Sequence, residues 1–152
     1  MAHTFRDRRR IEFYETDMAG IVHFSNYYRY MESAEHAFFR SLGLSLHRDE
    51  GEDMHGWARL AAGCEFRAPL HYMDEVEIEL FVREKTNRTL TYEMFFRRLE
   101  DGRPSAAPCA RGTLKVVHVL RSGGAMRATA MPAEVARAIE VAPADEPQPE
   151  PR

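Results

Sequence analysis

The segment from Phe24 to Leu42 governs what this chain can fold into. Its apolar positions Tyr27, Tyr30, Met31, Ala34, Phe38 and Leu42 recur at spacings of three and four. That pattern draws one apolar stripe down an α-helix. Arg29, Glu32, Glu35 and Arg40 fall mostly on the other side, and Glu32 and Glu35 are expected to face solvent or an interface. Gly43 stands where a residue past the C-cap belongs. Asp17, Ser25 and Asn26 are capping residue types near the start. A helix with one apolar stripe has to bury it against a second layer.

The rest of the chain supplies that layer, because its period is two. Val76, Ile78, Leu80 and Val82 alternate with Glu75, Glu77 and Glu79, and Leu90, Tyr92, Met94 and Phe96 alternate with Thr91, Glu93 and Arg97. Both runs read as half-buried strands. Asn87 to Thr89 and Glu100 to Pro104 read as the turns that bound the second run. Trp57 to Arg67 and Ala110 to Leu120 are two further strands, and Ile11 to Tyr14 is a short one. Leu44 to Gly56 is polar and reads as a loop. Pro132 opens a short C-terminal helix. The order predicts an α+β domain with one long helix against one antiparallel sheet. One helix covers one face only, so self-association is expected.

With 152 residues and a mass of 17.6 kDa, the chain fits one compact domain, expected over residues 1–141. Pro143, Pro147, Pro149 and Pro151 crowd the remainder, so residues 142–152 read as a solvated acidic tail. No apolar run reaches the length of a membrane span, and the charged start MAHTFRDRRR is not followed by the apolar stretch of a secretory signal. The net charge of −3 argues against wholesale nucleic-acid binding, which needs a basic face. Two cysteines, Cys64 and Cys109, cannot build a disulfide framework, and a reducing cytoplasm is the expected setting.

The chemistry concentrates in YETDMAGIVHFSNYYRYME, Tyr14 to Glu32. Asp17 stands in a glycine-containing turn just before the helix. Free backbone N–H groups at a helix start can hold an anion or a developing oxyanion. A carboxylate beside them can attack a carbonyl or activate water to do so. The same pattern also describes an ordinary cap, and spacing alone does not separate the two.

The run from Thr16 to Tyr30, T-D-x-x-G-I-V-x-F-x-N-Y-x-x-Y, resembles the signature of the 4-hydroxybenzoyl-CoA thioesterase family of hot-dog fold proteins. The later segment CEFRAPLHYMDEVEIEL, Cys64 to Leu80, is similar to that family as well. The resemblance implies a five-stranded antiparallel sheet wrapped around one long central helix. It implies homo-oligomers, dimers or tetramers, with active sites at the interface between subunits. It implies hydrolysis of an acyl-CoA thioester, with coenzyme A entering as part of the substrate and no separate cofactor or metal. Acyl carrier protein is the other carrier such a fold accepts, and acyl binding without hydrolysis is the alternative function. The family's acid matches Asp17, and its oxyanion donor is a backbone N–H at Phe24 or at a neighbour such as His23. His23 is also a candidate catalytic assistant. Gly20 allows close approach of backbone to substrate. Ile21, Val22, Asn26, Tyr27, Trp57 and Leu60 are the expected pocket residues, and Arg88 with Thr89 the expected contacts to coenzyme A.

Overall fold

The structure, a computed structural model, describes residues 1–144. In chain order it runs β1 (Thr4–Arg10), α1 (Ser25–Ser41), β2 (Arg48–Glu50), β3 (Asp53–Phe66), β4 (Glu75–Lys85), β5 (Thr89–Glu100), β6 (Arg103–Pro104), β7 (Ala110–Ser122), β8 (Ala125–Ala128) and α2 (Ala133–Ala138). Five long strands form one antiparallel sheet in the order β1-β4-β5-β7-β3. These are the five strands expected around the helix, and short strands are added to them among the described residues. The three additions are short: β2 on β3, β6 on β5 and β8 on β7.

The helix lies against this sheet as its stripe predicts. Tyr27, Tyr30, Met31, Ala34 and Phe38 are all buried, and Val76, Ile78, Leu80, Leu90, Tyr92, Met94 and Phe96 from β4 and β5 complete the core. Leu42 is only partly buried at its edge. Met31 reaches the sheet over Gly112, where a Cβ would collide with its sulfur. Glycine at that β7 position is what lets helix and sheet approach. Glu35, expected on an outer face, is fully buried instead.

Two expectations near the ends are corrected. The first strand is Thr4–Arg10, and the chain at Phe13–Glu15 is a short 3-10 turn. What pairs β1 with β4 is charge: Arg6, Arg8 and Arg10 stand opposite Glu79, Glu77 and Glu75 and close on them at 3.0, 2.9 and 3.2 Å. Such cross-strand pairs stabilise a register that apolar alternation does not reveal. The Leu44–Gly56 segment is not all loop, since β2 and the start of β3 form a hairpin there. At the C-terminus Pro132 is the N-cap of α2, and Lys85 Nζ donates to the Ala136 and Ile139 carbonyls at its end. Ala142, the expected first tail residue, is buried beside Phe81 and Phe95, and its N–H donates to the Val82 carbonyl. Tail residues 145–152 lie outside the described residues.

Candidate active site

The segment before α1 is a closed loop. The Asp17 N–H donates to the Ile21 carbonyl at 3.0 Å, and the Gly20 N–H donates back to the Asp17 carbonyl at 2.9 Å. Gly20 takes φ +78 to close this turn, a backbone conformation that costs glycine nothing. Val22 ties the far side down through its N–H to the Leu70 carbonyl. The Asp17 side chain accepts the Ala19 N–H on Oδ1 at 2.8 Å. That bond ties the carboxylate to the loop through Oδ1.

The start of the helix distributes its donors unevenly. The His23 N–H is consumed by the Glu15 carbonyl at 3.0 Å, and the Asn26 N–H by the His23 carbonyl at 2.9 Å. The Ser25 N–H meets His23 Nδ1 at 3.3 Å, and the Ser25 hydroxyl lies 2.8 Å from the same nitrogen. The N-cap residue, Phe24, makes no side-chain capping bond, and its own N–H has no acceptor among the described residues. Of the two oxyanion donors considered, the structure occupies His23 and leaves Phe24 open. The imidazole of His23 is drawn to the helix start, beside the Phe24 ring at 4.7 Å.

Asp17, Ile21, Val22, Phe24 and Tyr27 line one cleft of about 480 Å³ together with Phe66 to Pro69, at and just past the end of β3. Phe24, Tyr27 and Phe66 give it aromatic lining, with Tyr27 edge-on to Phe66 at 4.9 Å and backed by the buried Phe96 at 5.3 Å. Burial pushes the Tyr27 hydroxyl well above its ordinary range, so it stays protonated. The cleft is thus lined by an acidic residue, by the residue that heads α1 at the positive end of its dipole, and by apolar side chains. Phe66 and Arg67 were absent from the sequence expectation; the Ala68-Pro69 pair that ends β3 was the available signal for a strand end at this place.

Other expected site residues fall elsewhere. Asn26 turns away from the cleft, and its Nδ2 donates to the Glu15 carbonyl at 2.7 Å. Trp57 sits nine positions before Phe66, roughly 30 Å along β3, against Phe39 and His118. It lines a second cleft of about 330 Å³ with Glu32, His36 and Arg59. Leu60 is exposed on β3, at the bulge between Arg59 and Ala61. Arg88 and Thr89 stand at the opposite end of β5 from Phe96, roughly 23 Å away, beside His118 and Val117 of β7. Within one chain, these four residues do not share a cleft with Asp17. Among the described residues, no three His, Cys, Asp or Glu side chains gather to hold a metal ion, and no helix is long and apolar enough to cross a membrane. Cys64 and Cys109 are free thiols, pushed up to about 12 and about 11 by burial.

The family model described as the thioesterase-like superfamily matches residues 11–139. A curated relative from Aquifex aeolicus (strain VF5) is 46% identical over 87 residues, 56% of this chain and 66% of its own length. The 4-hydroxybenzoyl-CoA thioesterase of Pseudomonas sp. (strain CBS-3) is 26% identical over 136 residues, 88% of this chain and 96% of that protein. Its solved structure superposes with a TM-score of 0.76 over 90% of this chain and 99% of that one, at 22% identity, which shows the shared hot-dog fold. The structure of a gentisyl-coenzyme A thioesterase superposes with a TM-score of 0.71 at 28% identity, over 87% of this chain and 99% of that one.

Proposed function

The chain belongs to the thioesterase-like superfamily, a family of thioester hydrolases, and we propose that it hydrolyses acyl-CoA to the free acid and coenzyme A at the Asp17 cleft. One observation supports this: Phe24, whose N–H at the head of a helix has no acceptor among the described residues, lines the same cleft as Asp17. A thioester carbonyl oxygen placed on that N–H is polarised, and the negative charge that develops on it is stabilised. Asp17 then attacks the carbonyl carbon to form a mixed anhydride that water opens, or takes a proton from the water that attacks. In either course one water is consumed and the thiolate departs without needing a strong acid.

The aromatic lining of Phe24, Tyr27 and Phe66 suits an aryl or a medium-length acyl group. Arg67 at the cleft wall offers a cation for the carrier's phosphates, whether the carrier is coenzyme A or acyl carrier protein. The sheet edge suits a dimeric form of this reading. Beyond the short β2, the outer edge of β3 from Ala58 to Phe66 has no strand partner among the described residues. A second copy paired antiparallel about Ala61 and Ala62 carries its own Trp57 and Leu60 toward this chain's Phe66. Two Asp17 clefts then open at the subunit interface, with Arg88 and Thr89 of either copy free to meet the nucleotide. A cytoplasmic setting fits the two free thiols.

The test is a thiol-release screen over aliphatic, branched and aromatic acyl-CoAs, run on wild type and Asp17→Asn together. The expected result is turnover by the wild type and a loss of about 10²- to 10⁴-fold in kcat for the variant. Tight binding of acyl-CoA without any thiol release would mark a non-catalytic acyl-binding protein instead, because fold alone does not fix function.

A further inference from the structure

We propose that Asn26 is a positioning residue for this reaction: by bracing the Glu15 carbonyl, it holds the Asp17 loop and the head of α1 in one fixed relation. The inference rests on the thioesterase reading. The Glu15 carbonyl accepts two donors, the His23 N–H at 3.0 Å and Asn26 Nδ2 at 2.7 Å. Glu15 stands two residues before Asp17, and Asn26 two residues after Phe24. The bond therefore joins the segment that carries the carboxylate to the turn that carries the free amide.

Both partners are held from behind. Glu15 Oε1 accepts the Glu12 N–H at 2.8 Å, and Oε2 accepts Arg9 Nη2 at 3.2 Å. That guanidinium lies 4.1 Å over the Tyr30 ring, one helical turn beyond Asn26. Asn26 itself is only 9% exposed, and its N–H is bound to the His23 carbonyl at 2.9 Å. An asparagine inside the first turn is a weaker helix former than alanine, so its value at this place lies in the side-chain bond. Keeping the Glu15 carbonyl on His23 and Asn26 also keeps it away from the Phe24 N–H, which stays available to substrate.

The variants Asn26→Asp and Asn26→Ala distinguish a brace from a space-filler. An ionised aspartate of the same shape cannot donate to the Glu15 carbonyl, whereas its protonated form can. The expected result for Asn26→Asp at neutral pH is a kcat lower by about 10- to 100-fold, with KM changed less than about threefold. Its kcat relative to wild type should climb as the pH falls toward 5. Asn26→Ala should lose kcat by a similar factor at every pH, and it carries the test if the aspartate variant does not fold. Amide exchange at His23, protected through the same carbonyl, should quicken in both variants whether or not the protein turns over. If wild type hydrolyses acyl-CoA while Asn26→Ala matches it and protects His23 equally, the brace is refuted. If wild type releases no thiol but the exchange result holds, the thioesterase reading fails and the brace survives as architecture only.

Discussion

Glu35 and Arg59 meet across the buried side of α1. Arg59 Nη1 lies 2.6 Å from Glu35 Oε1, and the Glu35 side chain is fully buried while Arg59 is one-third exposed. Arg59 Nη2 also reaches Glu32 at 3.2 Å. Burial holds the Glu35 carboxyl above its ordinary range even with the guanidinium beside it. The arginine in turn is held above its own range by that carboxylate, although burial pulls it the other way.

The two partners are unequal, and that yields a prediction. Removing Arg59 strands a carboxylate in the core, a loss of about 3–5 kcal/mol. In Glu35→Gln the arginine can turn to Glu32 or to water, so the loss should be nearer about 1 kcal/mol. A raised carboxyl contributes stability that is complete below its unfolded value near 4.5 and is lost as pH rises through the folded value. Arg59→Ala raises the folded value further. Urea unfolding should therefore show Arg59→Ala recovering toward wild type between neutral pH and about 4.5, while Glu35→Gln removes the pH dependence that Glu35 contributes.

Phe24→Pro isolates the proposed oxyanion donor. Phe24 has φ −55, which proline matches, and its N–H serves no bond within the described chain. The exchange should leave thermal stability near that of Phe24→Ala, which controls for the lost ring. Single-turnover kinetics should show kcat lower than in Phe24→Ala by about 10²- to 10³-fold.

Gly112→Ala should cost about 1–3 kcal/mol, since the new methyl group meets the Met31 sulfur. Met31→Ala opens the matching space and is destabilising alone. Combined, the two should cost less than their sum, by denaturant titration of the four proteins.

The open β3 edge gives a prediction about assembly. Ala62 is exposed on that edge, and a lysine there opposes strand addition. Sedimentation should find wild type at least dimeric, with Ala62→Lys shifted toward monomer and its thiol release reduced in parallel.

Much of the fold was legible because the helical stripe and the alternation in β4, β5 and β7 are local patterns. The helix expected over Phe24 to Leu42 is Ser25–Ser41. The expected strand at Ile11–Tyr14 failed because β1 is specified by arginines facing glutamates far along the chain, a relation invisible until the strands are paired. Glu35 looked like an outer-face residue for the same reason; its partner Arg59 is supplied by another strand. Within the candidate site, Asp17, Ile21, Val22, Phe24 and Tyr27 were readable together since one loop and one helical turn hold them. Phe66 and Arg67 enter only through the path of β3, and the bond from Asn26 to the Glu15 carbonyl is not visible in its residue type, which fits a pocket equally well.

The unpaired amide of Phe24 has a consequence for heredity. A group that belongs to the main chain is indifferent to which side chain hangs beside it, so codon changes at position 24 leave it in place for every residue but proline. If the proposed hydrolysis holds, drift there should reshape the acyl groups accepted long before it touches the capacity to cleave them. On the proposed function, substrate range and chemistry are carried by different parts of one residue, and only the first is free to wander.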